Sequence, residues 1–200
     1  MTEFVLPKWH GIESAMQDVK STAFTAGVER LIGLKPNGDR VWDITGEATC
    51  VELPNDLANK DWEGNTDIFV VHGHPPIPCE LSDGDLMFIR AANIAGNMAV
   101  SGVDDTVSWT PTYKSYGPLY TRTLLGMAQS RVLNMMGEYD NFHAEVGSWA
   151  ETFDPRNVVL SHYIMKLLKQ HLTPNYQCKL GDVALKMIEP WKERMAQHGL

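Results

Sequence analysis

The stretch IFVVHGHPPIPCELSDGD, from Ile68 to Asp85, constrains this chain more than any other part of it. Ile68–Val71 is a short apolar, β-branched run that ends where His72 and His74 begin, the pattern of a buried strand delivering polar groups at its C-terminal end. On a strand, residues i and i+2 face the same way, so the two imidazoles aim at one point. After Pro78 the spacing of Leu86, Ile89, Ala92 and Asn93 predicts a helix with Ser82 as its N-cap. Asp85 then lies in the first turn, near enough to return a carboxylate to the same point. Two neutral imidazoles and a carboxylate suit a catalytic zinc site whose fourth position is left to water. Zinc lowers the pKa of a bound water to about 7. Such a site also needs a general base and an oxyanion donor. Ser82, one turn before Asp85, is the candidate donor, and the base must come from elsewhere in the chain.

Upstream, Val28–Leu34 and Arg40–Thr45 read as two strands around a Pro36-Asn37-Gly38-Asp39 turn, and Glu47–Leu53 extends the second or starts a third. A short helix is expected near Ile12–Val19. The polar, turn-rich segment from Pro54 to Asp67 reads as a loop. Met98–Ser101 and Thr106–Thr110 follow as short strands around Asp104-Asp105. Near Gly117 the composition shifts, and three helices are expected. One starts at Pro118, one has the Asp154-Pro155 start signal, and one spans Leu180–Gln197 with Pro190 breaking or kinking it. The expected architecture is therefore α+β: an N-terminal segment over 1–20, a mixed-sheet core flanked by helices over 21–116, and a helical extension over 117–200.

Bulk properties narrow the function classes. A net charge of −8 with no basic stripe argues against nucleic-acid binding. The apolar runs are too short and interrupted for a membrane span. The first residues lack a charged-then-apolar layout, so no secretory signal is expected. Three scattered cysteines, Cys50, Cys79 and Cys178, suit free thiols in a reducing compartment, and the expected location is cytoplasmic.

The spacing His72-x-His74-Pro75, a spacer PIPCEL, then Ser82-x-x-Asp85 resembles the motif of the JAMM (MPN-plus) zinc metalloprotease family. The resemblance covers about residues 20–115, and its specific part is His72–Asp85. It implies a JAMM/MPN-like fold, zinc ligation by His72, His74 and Asp85, and stabilisation of the tetrahedral oxyanion by Ser82. It also implies an upstream glutamate that activates the attacking water. VERLIGLKPNGDRVWDI fits the family layout of a glutamate opening a hairpin, which points to Glu29, with Glu47, Glu52 and the more distant Glu13 as competitors. Gly73 departs from the family, which places serine or threonine between the histidines. The implied activity is a zinc-dependent peptidase or isopeptidase. The implied substrate is a flexible tail, such as the C-terminal tail of a ubiquitin-like protein, bound by strand addition. For the helical extension, which the resemblance does not cover, the open expectations are partner binding, dimerisation or substrate recognition.

Rival readings are an inactive JAMM-fold scaffold or binding module and a different zinc hydrolase. A barrel amidohydrolase needs a longer chain. A deaminase needs Pro-Cys-x-x-Cys, and Pro78-Cys79 has no second cysteine at that spacing. Among the remaining residues, Cys79 reads as a small spacer residue, and His143, His162 and His171 as solvated or half-buried. Trp42, Trp62 and Trp109 read as core or cleft rim, with Trp62 and the loop Asn55–Thr66 as a possible groove wall. Met127, Met135 and Met136 read as core at helical spacing.

Overall fold

Alternation along β3 (Phe69–His74) divides the molecule in two, because its odd residues face one layer of helix and its even residues the other. In this computed structural model the described residues are 4–48, 50–51, 65–75, 78, 80–112, 118–144, 154–169 and 171–200. β3 lies inside a mixed six-stranded sheet. Its neighbours are β1 (Arg30–Leu34), antiparallel, and β4 (Gly96–Ser101), parallel. Outside β1 lies β2 (Arg40–Thr45), and outside β4 lie β5 (Val107–Pro111) and then β6 (Gln177–Lys179), all antiparallel. The strand order is β2-β1-β3-β4-β5-β6. The β1–β2 hairpin closes at the expected turn, where Gly38 adopts φ 92° and Asn37 accepts from the Asp39 amide at 3.1 Å.

Helix α1 (Ile12–Ala26) covers the odd face, packing Ile12, Ala15 and Val19 on Ile32, Leu34, Phe69, Val71, Met98 and Val100. It runs a further two turns past the expected end at Val19. Nothing in Lys20–Ala26 breaks it, and Gly27, at φ 65°, caps it. The even face carries the larger core. There α2 (Asp83–Ala91) crosses from β3 to β4. Above it lie α3 (Pro118–Met136), α4 (Tyr139–Ala144), α5 (Pro155–Lys169), α6 (Asp182–Ile188) and α7 (Lys192–Gln197), with one 3-10 turn, Glu189–Trp191, at Pro190. Residues from Leu31 to Met195 share that core. The region after 117 is thus packed on the sheet and adds β6 to its edge, a strand absent from the sequence-based expectation. Trp42, Met135 and Met136 are buried as expected. Met127 is exposed instead, because Ala128, Val132, Met135 and Met136 form the inward stripe of α3 and Met127 falls off it. Trp109 packs with the α1-side core. Trp62, Cys79, Glu52 and most of the Asn55–Thr66 loop lie outside the described residues, as does the side chain of His143.

The glycine at position 73 has a steric cause. A Cβ there would lie 2.7 Å from the Val19 carbonyl oxygen and 3.2 Å from Ala23 Cβ. Helix α1 therefore rests on the bare backbone of the strand that carries both histidines. Gly73→Ser is expected to destabilise the protein by about 2 kcal/mol through overpacking. Thermal unfolding is expected to shift down by about 4–8 °C. An unshifted midpoint would mean that α1 yields at no cost.

Candidate metal centre

β3 is set so that the site forms at one end of the sheet. Leu31 pairs with His72 across β1, and continuing that register places Glu29 opposite His74 on the same face. The Glu29 backbone is held by its amide donating to Glu47 O at 2.7 Å and its carbonyl accepting from Gly46 N at 2.8 Å. On the other side His72 pairs with Ala99 and His74 with Ser101, so Asn97, two residues before Ala99, shares their face.

Asp85 arrives from α2. The Ser82 hydroxyl accepts from the Asp85 amide at 3.1 Å, while Asp85 Oδ2 accepts from the Ser82 amide at 2.7 Å and from the Ser82 hydroxyl at 2.8 Å. This reciprocal pattern is a capping box with aspartate at its third helical position. It makes Ser82 the N-cap the sequence predicts and holds the Asp85 carboxylate at two points. The preceding segment is anchored as well. The Leu81 amide donates to Ser108 Oγ at 2.7 Å, and the Leu81 side chain is fully buried.

The three predicted ligands converge. His72 Nε2 and His74 Nε2 are 3.0 Å apart, His72 Nε2 is 3.0 Å from Asp85 Oδ1, and His74 Nε2 is 3.6 Å from Asp85 Oδ2. Tetrahedral zinc with bonds of about 2.0–2.1 Å sets its donor atoms about 3.3 Å apart, and these separations bracket that value. Among the described residues this is the one group of three His, Cys, Asp or Glu side chains close enough to hold a metal. The donor set fits too, being two nitrogens and one oxygen with no thiolate, the composition of catalytic rather than structural zinc sites.

Electrostatics bind the four groups into one unit. Burial works against a charge on His72, but the Asp85 and Glu29 carboxylates overcome it and push the imidazole up to about 9. Burial likewise favours protonated Asp85, yet His72 and His74 hold it well below the ordinary carboxylate value. Glu29 is raised, chiefly by burial, with His74 and His72 pulling it down and Asp85 adding to the rise. A carboxylate lifted in this way is suited to take up a proton. Glu47 is exposed, and Glu13 sits exposed on α1 against the opposite face of the sheet, so neither competitor is placed as Glu29 is.

Two residues the motif reading passed over belong to the surroundings. Asn97, 1% exposed, contacts His72 Nδ1 through Oδ1 at 3.1 Å. Glu80, 2% exposed, binds His162 Nδ1 from α5 at 2.5 Å and accepts from the Tyr176 hydroxyl. The signal available for each was a polar residue among apolar neighbours at an inward position. His162 is half-buried, as expected, and its partner is this glutamate. His74 Nδ1, by contrast, is buried with no hydrogen-bond partner among the described residues. No helix of the described residues is long and apolar enough to cross a membrane. Compared with protein-family models, curated proteins and solved structures, the chain gives no match to any of the three.

Proposed function

We propose that this protein is a zinc-dependent peptidase or isopeptidase of the JAMM type. The observation that carries the reading is the convergence of His72, His74 and Asp85 at donor-atom separations suited to zinc, with the half-buried Glu29 carboxylate beside them. The order of the motif along the chain and the central position of the His-x-His strand in a mixed sheet support the family resemblance.

His72, His74 and Asp85 would hold the ion. Zinc bound there supplies a Lewis acid for the scissile carbonyl and a water acidic enough to lose its proton near neutrality. Glu29 would serve as the base for the attacking water and would return the proton to the leaving amine, keeping the nitrogen from being expelled as an anion. Ser82 stands as the oxyanion donor. Its hydroxyl proton points to Asp85 Oδ2 at 2.8 Å and must swing to the substrate oxygen, while the Ser82 amide at 2.7 Å keeps the aspartate in place. A flexible polypeptide tail, such as the C-terminal tail of a ubiquitin-like protein, is the substrate class proposed. The likeness to the family is the ground for it.

The test combines metal analysis with a substrate panel. The purified protein is expected to hold about one zinc per chain and His74→Ala to lose it. The zinc-loaded protein, incubated with fusions of ubiquitin-like C-terminal tails, is expected to give cleavage at the tail by mass spectrometry. Zinc uptake with no cleavage of any fusion would favour a scaffold role, and a parent protein that takes up no zinc would overturn the reading.

A further inference from the structure

A buried asparagine in the middle of a sheet is costly unless its amide is fully used, and asparagine is depleted in strands. Asn97 sits in β4, which is paired on both sides, and is 1% exposed. Both ends of its amide point at the metal centre. Nδ2 reaches the backbone carbonyl of Asp85 at 3.5 Å, a long contact, and Oδ1 lies 3.1 Å from His72 Nδ1. A carbonyl only accepts, so the amide nitrogen belongs on the Asp85 side and the oxygen on the His72 side. An amide oxygen also only accepts, so the proton between Asn97 and the imidazole must sit on His72 Nδ1. That leaves Nε2 as the nitrogen facing His74 and Asp85, with its lone pair available once a metal takes the place of a proton.

We propose that Asn97 is the positioning residue of the metal centre, fixing the ring orientation and Nδ1–H form of His72 and tying its strand to the helix that bears Asp85. The proposal rests on the zinc reading for its purpose and on the hydrogen bonds for its geometry. The two histidines are treated unequally. His72 is held from behind by Asn97, while His74 Nδ1 has no partner among the described residues. Outer partners of this kind orient a ligand and raise its basicity, and their loss typically costs 10–100-fold in metal affinity.

The experiment compares the full-length protein with Asn97→Ala and Asn97→Asp. Zinc affinity is measured by competition with a chelator of known strength. The histidine Nδ1 proton is followed in 15N-resolved NMR of the metal-free protein. Asn97→Ala is expected to weaken zinc by about 10–100-fold and to lose the hydrogen-bonded Nδ1 proton of His72. Asn97→Asp, which keeps an acceptor in place, is expected to recover most of the affinity and the Nδ1 signal. A role in packing alone would not be rescued by a buried carboxylate and would leave the Nδ1 signal unmoved. Equal zinc affinity in parent and Asn97→Ala, or an Nδ1 proton in Asn97→Ala as strongly shifted and as protected from exchange as in the parent, would overturn the proposal. If the parent binds no zinc, the metal reading fails, while the NMR comparison still decides whether Asn97 holds His72.

Discussion

Glu29→Gln is expected to bind zinc as the parent does and to cut no faster than about 10²–10⁴-fold below it. The substitution keeps the shape of the side chain and removes only its capacity to accept a proton. The backbone that places it, through Glu47 O and Gly46 N, is untouched. Because burial raises the Glu29 carboxyl, replacing it with a neutral amide removes an unfavourable charge. The variant should therefore be no less stable than the parent. The measurement is cleavage rate beside zinc content and melting temperature. Glu47→Gln is the control, being exposed and expected to leave the rate unchanged. Full activity in Glu29→Gln would remove it from the mechanism, and a dead Glu52→Gln in the same series would assign the base there.

The second large effect is on stability. Glu80→Ala is expected to destabilise the protein by about 3 kcal/mol. For a chain of this size that lowers the melting temperature by about 6–12 °C. Burial works against a charged Glu80, but His162, Tyr176 and Cys178 hold its carboxyl below the ordinary value. The same burial and the Glu80 charge push the Tyr176 hydroxyl and the Cys178 thiol up, so both stay protonated. Removing the carboxylate leaves the Tyr176 hydroxyl buried without its acceptor. His162, partly exposed, can instead turn to solvent, which keeps the cost below that of a fully buried ion pair. The sign with pH follows. A depressed carboxyl contributes stability above its unfolded value of 4.5 and loses it as pH falls through the lower folded value. The gap in melting temperature between parent and variant should thus be full at neutral pH and narrow below about pH 4. A constant gap down to pH 2 would mean that lost packing, not the carboxylate, sets the cost.

What sequence reading captured was local. The β-branched run before His72, the Pro36–Asp39 turn, the Ser82 cap and the proline starts of α3 and α5 each declare themselves within a few residues. The convergence of His72, His74 and Asp85 was legible for the same reason, since a strand end and the first helical turn after it have fixed internal geometry. The partners that hold the site were not legible, because they come from far along the chain. Asn97 meets His72 through a parallel crossover, and Glu80 meets His162 and Tyr176 more than eighty positions away. β6 is three residues long and exists only because β5 offers it an edge. The reason for a glycine at position 73 was equally hidden. It is the backbone of α1, which lies more than fifty residues earlier.

The capping box at Ser82 and Asp85 bears on how the protein behaves when stripped. In a zinc finger the metal supplies the fold, and chelation unfolds the domain. Here Asp85 has the Ser82 amide and hydroxyl as partners, and His72 beside it has Asn97, so neither side chain depends on an ion for a partner. If zinc binds as proposed, removal by a chelator is expected to empty a finished socket rather than dissolve one, and reloading with zinc, cobalt or another ion of similar size is expected to need no cycle of denaturation.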